Sequence, residues 1–189
     1  MASDCTTDEE LMQRVAGGNH PAMDILVRRY ATGLLTFLHR MTGDRHRAEE
    51  LFQEAFLAVW VDRRRYEYPR AFRPWLFGIA ANKCHTELRR RPGPPAFLVD
   101  GSDAPAANDS TPIEAAIASE NATLVAQAMT MLPPKQRAVL ALRIWDGLEY
   151  EQIAQLLDRT EATIRSQMFH ALGAMRRYLE PRLRQVEAK

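Results

Sequence analysis

Apolar residues recur at intervals of three and four almost everywhere along the chain, and the alternating pattern of a half-buried strand is absent. An all-α protein is therefore expected. A first helix is predicted after Thr7, a suitable N-cap, with Asp8, Glu9 and Glu10 at its electropositive end and Leu11 and Val15 facing inward before Gly17-Gly18. A second runs from about Pro21 at N1 through Ile25, Leu26, Tyr30, Leu34 and Leu38 to Thr42-Gly43. A third spans about Arg45 to Arg63, with Leu51, Phe52, Phe56, Val59 and Trp60 as its apolar stripes. Past the loop "RRYEYPRAF", a fourth begins near Pro74 and continues through Leu76, Ile79 and Ala80 to Arg91.

The periodicity fails in "RPGPPAFLVDGSDAPAANDSTP" and resumes near Pro112, running to about Leu132 and restarting after Pro133-Pro134. The expected organisation is two small helical domains, residues 1–93 and 112–189, joined by a flexible acidic linker over 94–111. Each half is long enough to bury a core of its own. Charge supports the division, although the 25 basic and 24 acidic residues nearly cancel overall. Residues 1–93 carry 15 Lys/Arg against 12 Asp/Glu, residues 94–120 none against 5, and residues 121–189 10 against 7. Two mildly basic blocks thus flank an acidic one.

In the second block, "YEQIAQLLDRTEATIRSQMFHALGAMRR" reads as two helices with a short bend. Tyr150, Ile153, Ala154, Leu156 and Leu157 share one face, Asp158-Arg159 turn the chain, and Thr160 is placed to cap the next helix. On a wheel of 100° per residue Ile164, Met168, Ala171, Leu172 and Met175 point inward. Ala162, Ser166, Phe169 and His170 point outward, with Thr163 and Arg165 on the flanks. Small residues near the helix start admit close approach to base edges, Arg165 suits guanine or phosphate, and Phe169 suits a thymine methyl. A helical hairpin with a solvated face is the alternative, for which Phe169 is an odd residue.

The stretch "LPPKQRAVLALRIWDGLEYEQIAQLLDRTEATIRSQMFHALGAMRR" resembles region 4 of extracytoplasmic-function (ECF) sigma factors. The frame is carried by Leu132, Pro133, Gln136, Arg137, Val139, Leu142, Tyr150, Ile153, Ala154, Leu157, Thr163 and Ala171. The resemblance implies a helix-turn-helix that binds the minus-thirty-five promoter element through Thr160, Ala162, Thr163, Arg165, Ser166, Phe169 and His170. Asp158 stands where the family commonly has glycine, Gln167 and His170 where it is often basic, and Glu161 adds an acid. Weaker and more pH-sensitive phosphate binding is the expectation.

In the first block "RAEELFQEAFLAVW" groups Glu50, Gln53 and Glu54, suited to an arginine-bearing partner helix or, alternatively, an ordinary solvated face. It resembles ECF region 2, whose acidic helix grips the clamp helices of core RNA polymerase. The matching positions are Glu49, Glu50, Leu51, Gln53, Glu54 and Phe56, with Glu50 in place of a common Asp and Arg47 departing in charge. The first five are the expected polymerase contacts.

Next, "RRRYEYPRAFRPWLFGIAANKCHTELRRR" interleaves cations with Tyr66, Tyr68, Phe72 and Trp75. Such cations track a backbone while aromatic faces stack unpaired bases. The competing reading puts Phe72 and Trp75 in the core. The segment is similar to the part of ECF sigma factors that melts and reads the minus-ten element, with the loop Glu67 to Phe72 cradling a flipped base of the nontemplate strand. This implies a minus-ten set of Arg65, Tyr66, Glu67, Tyr68, Arg70, Phe72, Arg73, Trp75, Asn82 and Lys83. Tyr68 replaces a small loop residue and Gly78 a frequent basic one.

Catalysis finds no support: Cys84 and His85 are adjacent and so diverge by about 100° on a helix, and no glycine-rich phosphate loop or catalytic grouping occurs. No cofactor and no metal are expected. Two cysteines, Cys5 and Cys84, supply no disulfide framework, and no apolar run reaches the length of a membrane span. The expected protein is a cytoplasmic bacterial sigma factor whose partners are core RNA polymerase and promoter DNA, both duplex and melted strand. The family resemblance further implies an anti-sigma factor that can hold it at the inner membrane. The rival readings are a sigma-fold mimic that captures an anti-sigma factor, a stand-alone helix-turn-helix regulator and a small helical enzyme.

Overall fold

The computed structural model describes residues 6–90 and 112–187, with side chains described for 6–90 and 121–184. The linker expected at 94–111, Cys5 and Arg91 lie outside the described residues. Those described form eight α-helices and one 3₁₀ turn, with no strand among them.

The first unit holds α1 (Asp8–Ala16), α2 (His20–Thr42), α3 (Arg45–Val61), the 3₁₀ turn Arg63–Arg65 and α4 (Phe72–Arg90). Thr7 caps α1 in a reciprocal box with Glu10. Asn19, rather than the chain before Pro21, caps α2: its side chain accepts from the Ala22 amide at 2.9 Å, which moves the helix start back to His20. The fourth helix begins two residues before Pro74, because Glu9 of α1 accepts from the Phe72 amide at 3.1 Å and supplies the missing cap from a distance. α2 packs between α1 and α3, and α4 closes the bundle against α3 and α2.

The second unit holds α5 (Pro112–Thr130), α6 (Pro134–Ile144), α7 (Tyr150–Leu157) and α8 (Glu161–Glu187). Between α7 and α8 Asp158 takes the left-handed conformation at φ 51°, ψ 58°, a geometry that Asp tolerates better than most residues. Thr160 then caps α8 by accepting from the Thr163 amide at 3.3 Å. Ile164, Met168, Ala171 and Met175 are buried as expected, but Leu172 is 48 % exposed. Its position about 80° from Ile164 on the wheel lies outside the arc that the four buried residues define.

The two units are in contact, and their buried side chains form one continuous apolar cluster. α7 packs on α4, α6 on α2 and α4, and α5 reaches α2. Arg137 is 3 % exposed and crosses the seam, donating to the Met41 carbonyl at 2.6 Å and to the Thr130 and Leu132 carbonyls at 2.7 and 3.1 Å. Nearby, the Arg40 guanidinium stands 4.6 Å over the Trp145 ring and Arg73 reaches the buried Asp146 at 3.7 Å.

Candidate nucleic-acid and polymerase interfaces

The outward face of α8 is fully presented. Thr160, Ala162, Arg165, Ser166, Phe169 and His170 are exposed and Thr163 is half-buried. Phe169 is 76 % exposed and meets His170 edge-on at 5.7 Å. The ring is largely in water and so available to a partner. Arg165 is prearranged: Glu161 accepts from its Nε at 2.8 Å and Nη2 at 2.5 Å, and its guanidinium lies 4.6 Å over the Tyr150 ring. Arg143 stands over the same ring at 5.0 Å and pairs with Glu149 at 3.0 Å. Sequence reasoning left Arg143 and Tyr150 out of the site.

On α3, Glu50, Gln53 and Glu54 are exposed, whereas Leu51 is 2 % exposed and packs inward. Leu51 therefore shapes the helix seat and offers nothing to a polymerase in this fold. Leu57 and Val61, exposed by 62 % and 65 %, continue the same face. Glu50, Gln53, Glu54, Leu57 and Val61 together span roughly 100° of the helix, a stripe of acid, amide and apolar groups. The sequence carried that signal, two large apolar residues on the polar side, and it went unread. The acids also have partners within the chain: Glu49 with Arg45 at 3.2 Å, Glu50 with Arg47, and Glu54 with Lys83 at 3.2 Å.

The minus-ten set divides. Arg65, Glu67, Tyr68, Arg70 and Arg73 are exposed around the loop, which turns through an Arg70 amide to Glu67 carbonyl bond of 2.8 Å. Tyr66 is 7 % exposed and Phe72 is 0 % exposed, so neither ring offers a stacking face. They form a cluster with half-buried Trp75, at centroid distances of 5.3 Å from Tyr66 and 6.1 Å from Phe72, which supports the loop from beneath. The Tyr66 hydroxyl donates to the Arg70 carbonyl and fixes the loop's return. Asn82 is exposed but lines a cleft of about 90 Å³ between the units, together with His85, Lys135, Leu157, Arg159 and Gln167. Lys83 is engaged by Glu54, as above.

Cys84 is fully buried, and burial pushes its thiol up to about 12, so it stays protonated. Among the described residues no group of His, Cys, Asp and Glu could hold a metal, and no helix is long and apolar enough to cross a membrane.

A four-helix unit with an acidic outward helix and a cationic loop, followed by a helix-turn-helix unit, defines a transcription initiation factor of the sigma-70 class. The chain matches Sigma-70 region 2 over residues 26–92 and Sigma-70, region 4 over residues 122–175. It is 34 % identical to the RNA polymerase sigma-H factor of Pseudomonas aeruginosa, with 95 % of this chain and 97 % of that protein aligned. It is 30 % identical to the ECF RNA polymerase sigma-E factor of Escherichia coli K12, with 96 % and 99 % aligned. The chain belongs to the ECF RNA polymerase sigma factors, which direct core polymerase to specific promoters and promote DNA opening. Its fold is also that of CnrH in complex with the cytosolic domain of CnrY, with a TM-score of 0.68 at 22 % identity over 92 % of this chain and 97 % of that one. The sigma factor RpoE bound to the anti-sigma factor NepR of Bartonella quintana gives 0.63 at 22 % identity over 83 % and 96 %.

Proposed function

We propose that this sigma factor divides initiation among three surfaces. The α3 stripe of Glu50, Gln53 and Glu54, extended by Leu57 and Val61, docks on core RNA polymerase. The α8 face of Thr160, Ala162, Thr163, Arg165, Ser166, Phe169 and His170 reads the duplex minus-thirty-five element. The loop residues Arg65, Glu67, Tyr68 and Arg70, with Arg73, Asn82 and Lys83 on α4, take the melted minus-ten strand. The protein itself makes and breaks no bond. The observation that carries this reading is the α8 face, on which an exposed Phe169 stands among Arg165, Ser166 and His170.

An anti-sigma factor is the controlling partner in this reading, working on the sigma factor in the bacterial cytoplasm and able to retain it at the inner membrane. Support comes from the solved RpoE relative, which is a complex with the anti-sigma factor NepR.

Run-off transcription with core polymerase on fragmented host DNA tests the whole. New RNA starts sharing two upstream sequence blocks are expected with the wild-type chain, and Glu54→Arg should abolish them. Absence of both new starts and core binding would refute the proposal, while core binding without starts would favour a sigma-fold mimic.

A further inference from the structure

The loop from Tyr66 to Ala71 joins the 3₁₀ turn to α4, and α1 packs on the elements at both of its ends. Its return is fixed from within, by the Arg70 amide on the Glu67 carbonyl and the Tyr66 hydroxyl on the Arg70 carbonyl. Its exit is fixed from outside. Ala71, the residue before α4, has no side-chain oxygen to cap the helix, and Pro74 in the first turn has no N–H. The cap comes from 63 residues away: Glu9 Oε1 accepts from the Phe72 amide at 3.1 Å, at the end of α4 where the helix dipole is positive. Glu9 is itself held in place, because its neighbour Asp8 ties the start of α1 to α2. Asp8 accepts from Arg29 at 2.7 Å and from the Tyr30 hydroxyl, and the Tyr30 ring meets Phe72 edge-on at 5.4 Å. Burial pushes the Tyr66 hydroxyl up to about 12 and the Glu9 charge is the next cause, so Glu9 also stands near the loop's entrance.

Of the loop's rings, Tyr66 and Phe72 are buried and Tyr68 is 50 % exposed. A ring stacks on an unpaired base only when it is held at one height and tilt, which asks for a rigid support. Arg73 follows Phe72 directly, so a displaced helix start displaces that cation too. We infer that Glu9 is a positioning residue for strand capture: by capping α4 at Phe72 it sets where the loop ends, and so where Tyr68, Arg70 and Arg73 stand. The inference rests on the strand-capture role proposed for the loop. Glu9 lies outside the residues that match Sigma-70 region 2, which begin at 26. What the position requires is an accepting oxygen at the correct reach. Loss of that oxygen should remove the base-dependent share of strand binding while leaving the share that the exposed Arg65 gives to phosphate. A cap that merely stabilised the bundle would leave the base dependence as it is.

The test uses holoenzyme assembled from core polymerase and the full chain, wild type or carrying Glu9→Gln, Glu9→Asp or Glu9→Ala. The probe is a nontemplate-strand oligonucleotide with the minus-ten block found by run-off, and an abasic nucleotide is placed at each of its positions in turn. Wild type should lose several-fold in affinity at one position, the base taken by the loop. Glu9→Ala should bind the intact strand several-fold more weakly and lose little more at that abasic position. Glutamine keeps the oxygen at the same reach without the charge and should behave as wild type. Aspartate keeps the charge one methylene short and should behave as alanine. Core binding and minus-thirty-five duplex binding should be unchanged in all three, with folding checked by circular dichroism. An unchanged abasic profile in Glu9→Ala, an equal loss of core binding, or rescue by aspartate and not glutamine would each overturn the inference. Should Glu9→Ala fail to fold, the order of glutamine and aspartate decides it alone. If wild-type holoenzyme shows no abasic-sensitive position, the strand-capture reading itself falls, and the role of Glu9 with it.

Discussion

Glu161 holds the Arg165 guanidinium by its Nε–Nη2 edge, at 2.8 and 2.5 Å, one helical turn away on α8. Tyr150 supports the same group from below at 4.6 Å. The end-on edge of the fork stays open, which is the edge that can meet a guanine or a phosphate. Glu161 thus exchanges net charge for a fixed direction. Replacing it by glutamine should strengthen binding to any minus-thirty-five duplex and steepen the salt dependence by about 0.9 in log–log slope for one recovered phosphate contact. Discrimination at the base read by Arg165 should fall. Duplex titrations at several salt concentrations, on matched and mismatched sequences, check both effects, and an unchanged slope would remove Arg165 from the interface.

Leu57 is 62 % exposed, so its removal leaves the bundle intact. Leu57→Glu should leave thermal stability within about 0.5 kcal/mol yet weaken binding to core polymerase by about tenfold or more, the order expected when an interfacial leucine is lost. Paired melting and core-binding titrations separate the two.

Arg137 satisfies three carbonyls with one side chain, two in its own unit and one across the seam. Arg137→Ala strands them in an apolar setting and should cost about 3 kcal/mol in chemical denaturation. Of the three bonds, the one to the Met41 carbonyl crosses to the other unit.

Asp146 gives stability a pH dependence. Burial pushes its carboxyl up to about 6 from an ordinary 3.8, against the opposing pull of Arg73 on α4 and Arg40 on α2. Its Oδ2 has no hydrogen-bond partner. A raised carboxylate favours the state that keeps it neutral, so ionised Asp146 weakens the folded chain relative to the unfolded one. The penalty is complete above about pH 6 and fades as pH falls toward 3.8. That gap corresponds to roughly 3 kcal/mol at most. Chemical denaturation should show this penalty shrinking as pH falls from 7 to about 4.5, and Asp146→Asn should remove that part of the pH dependence.

The helical architecture was legible because apolar spacing survives in nearly every segment, and the α7–α8 bend was legible because Asp158-Arg159-Thr160 pairs a left-handed position with a cap. The loop from Glu67 to Phe72 was less so. Tyr66 and Phe72 sit among arginines in an irregular stretch, where no periodicity tells an inward ring from an outward one, and only the Tyr30–Phe72–Trp75 packing decides it. Contact between the units was hidden because seam residues such as Leu156 also read as core of their own helix hairpin. Gly78 was the visible sign, a residue that a solitary α4 has no reason to keep.

The 3.2 Å bond between Lys83 and Glu54 joins a cation proposed for DNA to an acid proposed for polymerase. While the bond holds, each masks the other. On the proposed assignment the polymerase surface and the strand surface therefore share an edge, and a substitution at Glu54 perturbs both.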